Sequence, residues 1–276
     1  MLTLQQQQHF ESNGYVVLDQ LFSDTQMAAL KNAATDIVEQ FDPDSTRSIF
    51  SSHSEFTDRD QYFLTSDDKV RCFFEEDAFA PDGYLRQPKH LSINKIAHAL
   101  HVHNPAFKTF STASIIAELA NDVGVEQPEI RQSMYIFKQP KIGGEIRWHQ
   151  DATYFYTDPI SVVTFWFAIE DASLSNGCLQ VAKSGGDFPL KEQFTRAEDD
   201  QTELHTLHNS PWPGEEEAVA LEVKAGSLVI FNGLLPHFSA ANLSDRSRNA
   251  FTLHITSATS HYDVRNWLRA APVKLG

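Results

Sequence analysis

The feature that most constrains this chain is a series of seven short β-rich segments in its second half. They run Ile130 to Phe137, Ile146 to Tyr156, Ser161 to Ile169, Gly177 to Val181, Ala218 to Val223, Ser227 to Phe231 and Asn249 to Thr256, with Gly, Pro, Asn and Asp between them. Such spacing predicts an antiparallel sandwich or barrel. Residues 1–125 read instead as mainly helical. A short polar helix is expected around Gln5 to Ser12 and a strand at Tyr15 to Leu18. Ser23 and Gln26 then form a capping box ahead of Met27, Leu30, Ala34, Ile37 and Val38, which repeat on one helical face. Val70 to Phe74 suits a strand, and Leu91 to Leu100 and Ser111 to Ala120 suit helices. Helices early and strands late, with no Pro/Ser-rich linker between them, predict one α+β domain over residues 1–276, its sheet core at 126–260.

Two stretches interrupt this pattern. Phe41 to Asp60 is polar and carries Pro43, Ser45 and Ser51-Ser52, as a long loop would. Residues 183–217 hold Gly185-Gly186, Asp199-Asp200, Pro211 and Pro213, and a polar excursion of that length in a compact domain predicts a lid over a binding site.

Composition narrows the range of partners. Of 276 residues, 22 are Lys or Arg and 37 Asp or Glu, a formal net charge of −15 with no basic stretch to offset it. That field repels phosphate backbones and anionic lipid, so neither nucleic acid nor membrane is expected as a partner. The apolar run Val162 to Ile169 is too short to cross a bilayer, and no export signal is read at the glutamine-rich start. Cys72 and Cys178 are too few for a disulfide framework, which fits a cytoplasmic location, and each is expected as a small buried apolar residue. Nothing in the sequence indicates an oligomeric state.

Within this frame the chemistry concentrates in one tripeptide and its distant complement. His149-Gln150-Asp151 falls in an expected strand, where alternate side chains share a face and set an imidazole beside a carboxylate. Alone, His-x-Asp is weak. Some 86 residues after Asp151, the stretch Lys224 to His237 offers a Gly turn, an apolar strand, a second turn and then a histidine. His237 is thus the expected third ligand. Two imidazoles and one carboxylate leave open positions on an octahedral metal, the arrangement of non-haem Fe(II) oxygenases. Catalytic zinc sites favour tetrahedral geometry and fit less well. Such iron commonly takes 2-oxoglutarate as cosubstrate, with O2 as oxidant, and the far carboxylate then needs a fixed cation. Arg248, 11 residues past His237, opens a strand on which Ala250, Thr252 and His254 share its face. A bidentate, permanently charged guanidinium suits that task. Arg246 still sits in the preceding turn, and a surface ion pair competes for both arginines. His254 could line the same cavity and, with Tyr154 and Arg246, is weighed as a hydrogen-bonding group behind the ligands. His98, His101, His103, His205 and His208 lack a third ligand on a strand scaffold and are assigned to packing or surface.

The chain resembles the phytanoyl-CoA dioxygenase family of Fe(II)/2-oxoglutarate oxygenases. The segments that carry the likeness are Phe10 to Leu18, Phe73 to Phe79, Asn94 to His101, Trp148-His149-Gln150-Asp151, Asn176-Gly177-Cys178-Leu179 and Asn242 to Arg248. The resemblance implies a double-stranded β-helix, or jelly roll, with helices packed on it. It implies iron on His149, Asp151 and His237, and 2-oxoglutarate held chiefly by Arg248. It also suggests cosubstrate contacts from Lys95, Met134 and Trp166, which spacing alone would not select. The expected reaction is hydroxylation of a small-molecule substrate with release of succinate and CO2. A carboxylate at position 151 argues against a halogenase, which would need that position for halide. Two other readings stand beside it. One is a jelly-roll sensor that binds metal without turnover. The other is a cupin-like isomerase or hydrolase, which would leave Arg248 unexplained. The prime substrate is not legible, and the strongly acidic chain makes an acyl-CoA an awkward guest.

Overall fold

The computed structural model describes residues 1–50, 60–183 and 188–276. In the first part, α1 (Leu4–Asn13) is opened by a capping box at Thr3 and Gln6 and closed by left-handed Gly14. After β1 (Tyr15–Leu18), α2 (Asp24–Gln40) starts at the Ser23/Gln26 capping box and buries Met27, Leu30, Ala34 and Val38. There follow α3 (Gln61–Leu64), β2 (Val70–Phe74), β3 (Ile93–His98), α4 (Leu100–His103), α5 (Pro105–Ser111) and α6 (Ser114–Asp122). The rest is nearly all strand: β4 (Pro128–Ile136), β5 (Ile146–His149), β6 (Thr157–Asp158), β7 (Val163–Ala168), β8 (Leu179–Ala182), β9 (Glu192–Arg196) and β10 (Thr202–Thr206). It is completed by β11 (Ala218–Leu221), β12 (Leu228–Asn232), β13 (His237–Ser239), β14 (Ala250–Ser257), β15 (His261–Tyr262) and β16 (Val273–Lys274).

The larger sheet has eight strands, ordered β1-β12-β7-β14-β4-β3-β2 with β16 on β4, and the smaller has four, ordered β11-β8-β13-β5. Between them Trp166, Val229 and Phe231 meet Leu179, Val181 and Leu221, forming the layer that makes the pair a jelly roll. The other face of the larger sheet presents Phe165, Phe167, Phe251 and Leu253 to Leu30, Phe107, Phe110 and Ile116 of the helices. Phe110 meets Phe167 edge-on at 5.0 Å, and Phe107 lies 4.9 Å from Phe251. Burying each such side chain contributes about 1.5–3 kcal/mol, so the helical layer fixes the sheet that carries the site.

Two expectations are corrected. Residues 91–100 do not form a helix. A 3-10 turn at Lys89–Leu91 leads into β3, whose six residues are all buried between β2 and β4. A strand covered on both faces loses the alternation that marks one in sequence, and its pairings override the helical pattern. Within residues 1–125, β1, β2 and β3 join the larger sheet while the other described elements are helices and turns. The stretch 183–217, expected as one polar excursion, is not all loop. It contains the hairpin β9/β10, paired from Thr202 with Arg196 to Thr206 with Glu192, and it buries Phe194. Gly185-Gly186 and Ser51-Ser52 lie outside the described residues.

Candidate metal centre

Strand β5 ends at His149 and β13 begins at His237, and the two residues are direct partners in the ladder. Asp151 is reached differently from the sequence expectation. The strand stops at His149 and Asp151 opens a 3-10 turn, Asp151–Thr153. Between them the buried Gln150 amide is fixed: its Nε2 donates to the carbonyls of Pro189 and Leu234, and its Oε1 accepts from the Lys191 N–H. Ligand atoms of His149, Asp151 and His237 all lie within 4.8 Å of one another, close enough to hold one metal ion. Asp151 Oδ1 is 3.7 Å from His149 Nε2 and 3.8 Å from His237 Nε2.

Both rings are oriented from behind. His149 Nδ1 lies 2.9 Å from the Arg147 carbonyl and His237 Nδ1 3.0 Å from that of Leu235, so each Nδ1–H donates to backbone and each Nε2 keeps its lone pair for a metal. Burial and the neighbouring His237 push the His149 imidazole down to about 3, keeping it neutral at physiological pH. For Asp151 burial acts upward, but His237 and His254 outweigh it and hold the carboxyl well below its usual range. Its second oxygen, Oδ2, accepts from the Thr164 hydroxyl and lies 3.5 Å from His254 Nε2. One oxygen thus faces the imidazoles while the other is tied to the sheet.

The wall behind this triad follows from register. Across the larger sheet Phe231, Thr164, His254 and Gln132 form one row, and Trp166, Thr252 and Met134 the next. Ala168, Ala250, Ile136 and Lys95 form a third. Members of all three rows line one cavity with the triad: Phe231, Thr164, His254, Gln132, Trp166, Thr252, Met134, Ile136 and Lys95. Lys95 is therefore a strand residue facing this cavity, its Nζ 3.1 Å from the centroid of the Phe50 ring.

Arg248 sits at the far end of the same wall, two residues before β14 begins, and is 3 % exposed. Its Nε donates to the Gly177 carbonyl at 3.1 Å, its Nη2 to Ser239 Oγ at 3.3 Å, and its plane lies against Trp166 at 5.4 Å. Nη1 is buried without a partner, as is the Thr252 hydroxyl in the row of Trp166 and Met134. Burial pushes the Arg248 guanidinium down to about 10, still cationic at neutral pH. Arg246 does not belong here: it is exposed in the turn at 244–246. The neighbouring Asp245 pairs with Lys141 at 2.8 Å.

Tyr154 lines the cavity with Phe63, Phe155, Phe194 and Trp267. His98 and His101 are buried against the hydroxyls of Ser66 and Ser133, at 2.7 and 2.8 Å. His205 lies on β10, 2.8 Å from Thr195 Oγ1. Sequence reasoning missed Thr164, Gln132 and Ser239, which line the cavity. For Thr164 and Ser239 the available signal was period-two spacing from Trp166 and His237, two residues away in each case.

A match to the family model "Phytanoyl-CoA dioxygenase (PhyH)" extends over residues 10–250. The chain belongs to the phytanoyl-CoA dioxygenase family. Among its relatives, "Phytanoyl-CoA dioxygenase" of Arabidopsis thaliana is 41% identical over 98% of this chain and 94% of its own length. "Phytanoyl-CoA dioxygenase domain-containing protein 1" of Mus musculus is 36% identical over 98% and 96%. Solved structures share the fold of this family member. The non-heme alpha-ketoglutarate-dependent carbocyclase SnoK gives a TM-score of 0.67 at 18% identity, covering 100% of this chain and 97% of that one. EctD from S. alaskensis with bound Fe gives 0.67 at 18%, covering 100% and 87%.

Proposed function

We propose that this cavity is the active site of an Fe(II)- and 2-oxoglutarate-dependent hydroxylase acting on a small organic substrate. The carrying observation is that the His149, Asp151 and His237 donors open into the same cavity as a buried guanidinium with one nitrogen unpartnered. The donor set fits a ferrous ion: two neutral imidazole nitrogens and one carboxylate oxygen, each oriented by a partner behind it. The chemistry iron supplies when so held is the coupled use of O2 and 2-oxoglutarate, giving succinate, CO2 and a hydroxylated substrate.

The chain's own residues position and shield. Arg248 Nη1 takes the far carboxylate, assisted by the hydroxyls of Ser239 and Thr252, both of which line the cavity. Met134 and Trp166 flank Thr252 in register and wall the cosubstrate's carbon chain, while Lys95 adds positive charge from the third row. Tyr154, Phe155, Phe194 and Trp267 exclude water on the substrate side and favour a substrate presenting hydrocarbon there.

The test is purified protein with Fe(II), ascorbate and O2, which should convert 2-oxoglutarate to succinate and do so faster with the right small molecule. His149→Ala should abolish metal binding. Arg248→Ala should raise the 2-oxoglutarate requirement while metal still binds. Metal bound with no turnover under any substrate would leave a binding protein instead. Failure of 2-oxoglutarate to bind would favour an isomerase or hydrolase on the same triad.

A further inference from the structure

Behind the guanidinium lies a second buried cation that the proposed mechanism leaves unused. Lys138 follows β4, is 2 % exposed, and accepts the Arg248 backbone N–H on its own carbonyl at 3.3 Å. Its Nζ donates to the Gly144 carbonyl at 2.6 Å, the Ser239 carbonyl at 3.3 Å and Ser239 Oγ at 2.7 Å. Two carbonyl oxygens and a hydroxyl oxygen around one nitrogen match the three hydrogens of an ammonium. Burial and Arg248 push that ammonium well down, while Glu75 and Glu145 draw it back up. The nearby Glu75 carboxyl is 1 % exposed, is itself pushed up by burial, and has its Oε2 held by Asn94 Nδ2 at 2.9 Å and the Gly144 N–H at 3.3 Å. Two buried cations therefore face one buried carboxyl, and buried charge needs its counterpart.

Ser239 resolves the arrangement. Its oxygen accepts from Lys138 Nζ and from Arg248 Nη2, which uses both lone pairs. The hydroxyl hydrogen must then point elsewhere, and Ser239 lines the cavity. Resting on the reading that 2-oxoglutarate binds here, we infer that Lys138 is a positioning residue for its far carboxylate, locking Ser239 as a donor beside Arg248 and adding positive charge behind it.

The test is calorimetric binding to the Mn(II)-loaded protein of 2-oxoglutarate and of 2-oxobutyrate, which keeps the 2-oxo acid but lacks the far carboxylate. Lys138→Met should weaken 2-oxoglutarate by about tenfold or more and leave 2-oxobutyrate unchanged. Combined with Ser239→Ala, it should weaken binding by less than the product of the two single effects, because one acts through the other. Equal weakening of both ligands, no weakening of either, or full additivity with Ser239→Ala would overturn the inference. Should Lys138→Met not fold, Lys138→Gln carries the same expectations. If the wild type binds both ligands equally, the underlying reading of the cavity fails and takes this one with it. If the wild type discriminates and the variant does so undiminished, only the role of Lys138 falls.

Discussion

Thr164 illustrates how one hydroxyl on the sheet can govern a metal ligand. Its O–H is spent on Asp151 Oδ2, so Thr164→Val removes the donor at nearly constant volume and frees the carboxylate to rotate. Such partners typically contribute 10–100-fold in metal affinity. Titration of the variant with Mn(II) should show a loss of about that size, and an unchanged affinity would mean the turn alone orients Asp151. His101 supports a prediction on stability. Burial pushes its imidazole down to about 4, against about 6.5 in an unfolded chain. Above pH 6.5 both states are neutral. As pH falls from 6.5 to 4 the unfolded chain takes up a proton that the folded one refuses, costing about 1.4 kcal/mol per unit and on the order of 3 kcal/mol in all. Urea unfolding at pH 7.5 and pH 5 should show about 2 kcal/mol of this loss in the wild type and a smaller one in His101→Gln. At this scale the sequence discloses residues whose chemistry is scarce: two histidines and a carboxylate on β-segments, and an arginine two residues ahead of a core strand. Thr164, Ser239 and Lys138 are common residue types: period-two spacing could place the first two on a face, but the partners that give all three meaning come from segments distant in the chain.

Among the elements, the turns hold the cation end of the cavity in place. Gly177 has φ +77°, and a Cβ there would meet the Ala240 carbonyl oxygen at 2.5 Å and Lys138 Cε at 2.8 Å. Its own carbonyl receives Arg248 Nε. Gly177→Ala should therefore cost at least about 1–2 kcal/mol from the left-handed backbone alone, with the clash in addition. It should also weaken 2-oxoglutarate more than Mn(II), checked by thermal melting and by titration of each ligand. Legibility differs among elements for a physical reason. The helix α2 announces itself through its capping box and one apolar stripe, and β14 through Phe251, Leu253 and Ile255 alternating with polar residues. By contrast β3 is covered on both faces and β13 is three residues long, so neither carries a period for the sequence to display.

For the molecule as a whole, the site bridges its two sheets. His149 and His237 belong to the smaller sheet, Thr164, Thr252 and His254 to the larger, and Asp151 is tied to both. Ligands bound there should then stabilise the fold globally. Mn(II) with 2-oxoglutarate at a hundred times its Kd contributes about 2.7 kcal/mol, roughly 5–10 °C in Tm for a chain of this size. Arg248→Ala should lose most of the increment due to 2-oxoglutarate and keep that due to metal, as differential scanning fluorimetry can separate. The jelly roll itself is legible from seven segments and their turns, and the described helices include none long and apolar enough to cross a membrane.

The direct pairing of His149 with His237 sets a rule for how this architecture can change. Because neighbouring side chains along a strand point to opposite faces, inserting or deleting a single residue in either strand would turn one imidazole out of the interior while leaving the sheet otherwise able to pair. Length changes are therefore tolerable in the connections, whereas along this one rung of hydrogen bonds the count of residues is itself part of the chemistry.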